Sequence, residues 1–182
     1  MIQLANLSMA VYTIGHSTRT IPELAALLGE SGIEVLADVR AIPRSRTNPQ
    51  FNLDVLPESL KGFGVGYQHF PELGGRRHHP RDAPPSPNTF WRNESFRNYA
   101  DYAATDAFNV GLTRLRELAG HQRCAIMCSE AVWWRCHRRI ISDYLLAEGI
   151  PVMHIMGPGK IDPATLTPDV HRLSNGTLLY RA

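Results

Sequence analysis

Lysine is nearly missing from this chain: Lys61 and Lys160 are its only lysines, so almost every basic side chain is an arginine. Arginine is the cation suited to bidentate contact with phosphate or carboxylate, although an arginine-rich genome leaves the same bias. Net charge is also small, +2 from 19 basic and 17 acidic residues, so bulk charge argues neither for nor against a nucleic-acid partner. Cysteine is scarce. Cys124, Cys128 and Cys136 make an odd count of 3 within one segment, unlike a secreted disulfide framework and in keeping with a reducing cytoplasm. No apolar stretch approaches the length of a membrane span. The opening MIQLANLSMA lacks the basic and then apolar pattern of a leader, so no membrane association is expected. Internal repeats are absent, and the one biased tract is proline-rich.

What remains is an ordinary globular composition, 43% hydrophobic over 182 residues, enough for one domain with a sizeable core. We place that domain at 9–182, because Met9 immediately precedes the first strand-like run, Val11 to Ile14. Thr20 can cap a helix with Pro22 and Glu23 in its first turn, and Leu24, Leu27 and Leu28 give it an apolar face up to Ser31-Gly32. Val35 to Val39 is the second strand, which completes a βαβ unit. The loop AIPRSRTNPQF holds Arg44, Ser45 and Arg46, and its prolines exclude regular structure. A modest helix around Leu53 to Lys61 and a third strand, Val65 to Phe70, come next. The insert at 78–94 opens with HHPRDAPPSPN, 4 prolines in 11 residues, and reads as a loop, either a lid or a surface excursion. A long helical pattern from Ser95 to Gly120 has a break near Thr105-Asp106. Pro151 to Ile155 is the last strand of the main sheet, and the tail is a loop with an edge strand near Leu178 to Arg181.

The stretch from Arg123 to Gly149 organises the rest. Cys124 to Cys128 is a short apolar run with the length of a buried strand, and from about Trp133 the residues Ile140, Ile141, Tyr144 and Leu145 recur at helical spacing. On that helix His137 faces the protein, while Arg135, Arg138 and Arg139 fan away from the apolar stripe. Strand, turn and helix of this kind form the usual ligand-binding corner of an α/β protein.

Strands that alternate with helices imply an α/β fold: one three-layer domain, a mostly parallel sheet of about five strands, and helices on both faces. Right-handed crossovers bring the strand ends to one edge. This gathers Gly15, His16 and Ser17 with Asp38, Arg40, Gly74, Gly75, Arg76, Cys128, Ser129, Glu130 and His154. The paired glycines let backbone approach a ligand closely, and they are equally common in plain turns.

These residues also carry a resemblance. Thr13 to Ser17 (TIGHS), Asp38 to Ser45 (DVRAIPRS), Leu73 to Arg76 (LGGR), Ser95 to Tyr102 (SFRNYADY), Cys128 to Glu130 (CSE) and Cys136 to Arg138 (CHR) follow one another as in the domain of unknown function 488 family (DUF488). The chain resembles that family over nearly its whole length. The segment AVWWR after Glu130 departs from the polar, acidic loop more usual there. The resemblance implies membership and no particular activity.

The chemistry must therefore come from the residues. A thiol at a strand exit ahead of a helix, near arginines, is expected to lose its proton easily, which makes Cys128 the candidate nucleophile. Glu130, His137 and Asp38 are candidates to move protons, although Asp38 and Glu130 would also serve simply to neutralise Arg40 and Arg138. Gly15, His16, Ser17, Arg40, Ser45, Gly74, Gly75, Arg76 and Arg138 are the expected binding residues for a small anionic, phosphate-bearing ligand, a nucleotide or a piece of nucleic acid. Cys124 and Cys136 read as core packing. The C-x5-R phosphate cradle of cysteine phosphatases is missed by one position, since Arg135 stands one residue too far from Cys128. Zinc would have Cys128, Cys136, His137 and His16 to draw on, but no C-x2-C pair anchors them, and no cofactor or metal is assigned. A non-catalytic nucleotide or nucleic-acid binding module using the same arginines is the alternative to an enzyme.

Overall fold

The structure is a computed structural model and describes residues 9–181. The apolar runs form the centre of a sheet. Strands β1 (Val11–Gly15) and β4 (Cys124–Cys128) are buried at every position, as strands covered on both faces must be. Their side chains still alternate. Cys124 and Ile126 enter one core, and Ala125 and Met127 enter the other, which is the period of two that a pleated strand imposes. The remaining strands are β2 (Val35–Asp38), β3 (Gly66–His69), β5 (Val152–Gly157) and β6 (Lys160–Pro163), in the spatial order β3-β2-β4-β1-β5-β6. All pairings are parallel except the β5–β6 hairpin. The expected sheet thus gains a sixth, antiparallel edge strand, because the GPGK turn folds back with Gly159 at φ +63° instead of leading into a loop.

On one face lie α1 (Ile21–Glu30) and α2 (Leu56–Lys61). Thr20 and Glu23 close a full capping box on α1, worth about 1 kcal/mol over an uncapped end. Leu24, Leu28, Leu36, Phe51, Leu56 and Leu60 are fully buried there. Each such side chain contributes about 2 kcal/mol of hydrophobic stabilisation. On the other face lie α3 (Glu94–Tyr102), α4 (Asp106–His121) and α5 (Arg138–Ala147). The break near Thr105 is present, with Thr105 capping α4 and Asn93 capping α3. The chain is a single α/β domain with helices on both faces of the sheet.

Two local expectations are corrected. The helix read from about Trp133 starts only at Arg138. Trp133–Arg135 is a separate 3-10 turn, and Cys136 is extended at φ −128°, ψ 147°. The Trp133 indole is drawn off to stack on His154, 4.4 Å between ring centroids, so the chain turns before the helix begins. The tail, read as a loop with one edge strand, instead forms a second sheet of β7 (Val170–Arg172) and β8 (Leu178–Tyr180). Tyr180 is fully buried, its hydroxyl donates to Asp143 at 3.0 Å, and its backbone N–H donates to Asn88 Oδ1 at 3.0 Å. Asn88 in turn donates to Asp101 at 2.7 Å. The proline-rich insert is therefore tied down between α3 and the tail as a surface excursion.

Candidate active site

The register of the sheet puts Gly15 beside Cys128, and Asp38 beside both Met127 and His69. The carboxyl ends of β1, β2 and β4 therefore share one edge. A cavity of about 340 Å³ opens there, lined by residues from the β1, β2 and β4 exits, the 41–45 loop, the Gly75-Arg76 turn and the start of α3.

At its floor stand Cys128, Cys136 and His137, whose Sγ and ring nitrogen atoms all lie within 4.8 Å of one another. His137 Nε2 sits 2.8 Å from the carbonyl of Val39. A carbonyl only accepts, so Nε2 carries a proton there, and Nδ1 is the ring nitrogen left for other partners. Nδ1 faces both sulfurs, at 3.6 Å from Cys136 and 3.9 Å from Cys128. Gly75 makes room for this. A Cβ there would lie 2.4 Å from Nδ1.

Below the floor is Arg138, 1% exposed. It donates to the Glu130 carbonyl at 2.6 Å, to Cys136 Sγ at 3.3 Å and to Thr13 Oγ1 at 3.5 Å. Among the described residues no carboxylate pairs with it. A buried guanidinium cannot shed its proton, so negative charge on the Cys136 sulfur is its natural counterpart. Burial alone would raise the Cys136 thiol; a hydrogen bond from Cys128 and the Arg138 cation overturn that and hold it down at about 6. Cys128, which donates in that bond and is also buried, is pushed up to about 12. The sulfur that the buried cation touches is thus Cys136, expected to be core packing, and not Cys128. The cause is that Arg138 does not fan outward but points in, onto Cys136.

The other candidates divide. Glu130, Ser129, Ser45, Gly75, Arg76, His16 and Arg40 line the cavity. Asp38 does not. It is fully buried and grips Arg40 through both carboxylate oxygens, 2.9 and 2.5 Å, while Tyr67 donates to it at 2.7 Å. It positions Arg40, and no open face of it reaches the cavity. Arg40 is further engaged by the Phe51 carbonyl at 2.7 Å and by His16 Nε2 at 3.3 Å, so little of its charge is free for a ligand. His16 is likewise committed. It hydrogen-bonds the Ser17 carbonyl through Nδ1 at 2.8 Å and stacks on Phe51, and burial lowers it to about 4. Gly15, Ser17, Gly74 and Arg138 lie outside the cavity lining. Gly15 is glycine because β1 presses on the Glu130 carbonyl, and Gly74 because the chain crosses Ala41, 2.6 Å from where a Cβ would stand. These are packing requirements, not ligand contacts.

Two arginines not among the expected binding residues also reach the cavity. Arg44 and Arg135 line the cavity with Arg76, all three are exposed, and none is in an ion pair among the described residues. Arg44 had a signal in its proline-bounded loop. Arg135 had only the near-miss to C-x5-R spacing, since its place depends on the 3-10 turn.

The protein is of the α/β class, a mostly parallel sheet that carries a cavity lined by thiols, an imidazole and exposed arginines at its carboxyl edge. Within that class the chain belongs to the family described as domain of unknown function DUF488, whose model matches residues 20–145. No curated protein and no solved structure matches the chain. Among the described residues no helix is long and apolar enough to cross a membrane.

Proposed function

We propose that this protein is an enzyme acting on a small, phosphate-bearing substrate, a nucleotide or nucleic-acid fragment, in a reducing cytoplasm. The observation that carries it is one cavity with three unpaired arginines, Arg44, Arg76 and Arg135, over a floor of Cys128, Cys136 and His137. Free guanidiniums at a cavity rim are built for phosphate oxygens. Ile42 and Phe96 add an apolar wall to the same cavity, a surface on which a base or sugar ring can lie. The floor supplies the reacting groups, with the strand-exit Cys128 among them, and Glu130 is the exposed carboxylate available to move a proton.

Two measurements test this. Calorimetric titration with a nucleoside monophosphate should give binding that weakens with salt and falls about tenfold to a hundredfold in Arg76→Ala, the loss of one charge-assisted contact. Binding indifferent to both changes removes the arginines from the role. Cell extract incubated with wild type should then lose a metabolite that Cys128→Ser, matched for folding, leaves intact. If phosphate binds but nothing is consumed, the protein is a binding module instead.

A further inference from the structure

The sulfur and imidazole cluster has the form of a metal site before any metal is considered. We infer that Cys128, Cys136 and His137 bind a single divalent zinc ion whose fourth position faces the cavity. This deepens the reading above by naming what the floor holds, and it rests on that reading only for the substrate that would approach it.

Geometry carries the inference. Zinc bonds of about 2.3 Å to sulfur and 2.0–2.1 Å to nitrogen, set tetrahedrally, put a ligating sulfur and nitrogen about 3.6 Å apart. Here Nδ1 stands 3.6 Å from one sulfur and 3.9 Å from the other, both near ligating separation, and all three atoms lie within 4.8 Å of one another, so a small side-chain rotation that draws the sulfurs together completes the set. Two thiolates and a neutral imidazole suit zinc in softness, and the two sulfur charges cancel the dication.

The surroundings agree independently. A metal-binding histidine nearly always donates its other ring N–H to a carbonyl or carboxylate, which fixes the tautomer. His137 has this contact, Nε2 to the Val39 carbonyl at 2.8 Å, so the lone pair is aimed where a metal would sit. The Arg138 Nε–H donates to Cys136 Sγ at 3.3 Å, the kind of outer contact that stabilises a metal-bound thiolate. Gly75 leaves free the space beside Nδ1 that any other residue's Cβ would fill. All three ligands line the cavity, so the uncommitted position belongs to substrate or water, the mark of a catalytic rather than a structural zinc. Zinc held there would supply Lewis-acid polarisation of an oxygen at the open position, with Cys128 as one of its ligands.

The experiment uses cobalt(II) as a spectroscopic stand-in, titrated into the full chain after reduction and removal of metal. Wild type should bind one equivalent, with intense thiolate-to-cobalt absorption in the near ultraviolet and the visible bands of tetrahedral cobalt, and zinc should displace both. Cys136→Ser and His137→Ala should each weaken zinc binding by more than about 100-fold, beyond the range for outer contacts. Cys124→Ala, whose sulfur lies inside β4 away from the cluster, should bind as wild type does. Because a ligand variant can also unfold, the wild-type chain provides a second measurement: zinc should shield Cys128 and Cys136 from brief iodoacetamide treatment. No charge-transfer band in wild type, a band that survives in Cys136→Ser, or thiols left unshielded by zinc would each overturn the site. None of these readouts involves a phosphate ligand, so failure here is distinct from failure of the anion-binding proposal.

Discussion

Replacing Gly15 with alanine loads the tightest backbone junction beneath the cavity. Gly15 is not among the positive-φ residues, so contact and not conformational freedom demands glycine. An alanine Cβ would lie 1.8 Å from the Glu130 carbonyl oxygen, 2.7 Å from its carbon and 2.9 Å from Ala131 Cα, where ordinary contact starts near 3.4 Å. Those are backbone atoms, so no rotamer change relieves the overlap, and the 129–131 turn must retreat by more than an ångström. That turn is held on both sides. The Glu130 carbonyl accepts from buried Arg138 at 2.6 Å, and the N–H groups of His16 and Ser17 donate to the Cys128 and Ser129 carbonyls at 2.9 and 3.0 Å. Overpacking costs about 1–3 kcal/mol, and loosening a hydrogen bond to a buried charge adds about 1.5–3 kcal/mol, so a loss of about 3 kcal/mol or more is expected. Gly29 in α1 is the internal control, with nothing within 4 Å of an added Cβ; alanine there should gain about 0.5–1 kcal/mol by helix propensity. Urea unfolding reads both, as a midpoint that falls for Gly15→Ala and rises for Gly29→Ala at constant m. A Gly15→Ala protein within about 0.5 kcal/mol of wild type would refute the reasoning, because β1 and the Glu130 turn could not then be joined as described.

Acid should destabilise the fold through His16 and His154, both lowered from 6.5 to about 4, mainly by burial, with the Arg40 and Arg138 cations respectively adding to it. The unfolded chain takes up these protons below about pH 6.5 while the folded chain refuses them, so stability is complete above that pH and falls until about pH 4, by at most roughly 1.4 kcal/mol per pH unit for each histidine. Urea midpoints between pH 7.5 and 4 should fall less steeply in His154→Gln, and an unchanged slope would clear His154 of the effect. Tyr67→Phe removes the 2.7 Å donor to Asp38 and should cost about 2 kcal/mol, the worth of a hydrogen bond to a buried carboxylate. An unaltered urea midpoint would mean that the Arg40 pair alone satisfies Asp38.

The α/β class, the strand positions, the Thr20 cap and the shared edge were legible because they rest on local chemistry. Apolar runs of strand length, helical periodicity and capping residues act over a few positions, and crossover handedness then leaves the parallel strand ends no choice of side. The spacing of Cys128, Cys136 and His137 likewise put them in one corner.

Which way each side chain faced was decided by contacts remote in sequence. Trp133 leaves the helical pattern to stack on His154 in β5, which delays α5 to Arg138 and extends Cys136 toward Cys128. Arg138 turns inward because the Glu130 carbonyl and Thr13 hydroxyl wait for it, and its cation adds to the neighbouring Cys128 thiol in lowering Cys136 against its burial. Asp38, legible as a carboxylate at a strand end, is withdrawn from the cavity by Tyr67 on the neighbouring strand and by Arg40. Periodicity carries no information about such partners. A buried charge goes where its counter-charge and hydrogen bonds are, and only the folded chain brings those within reach.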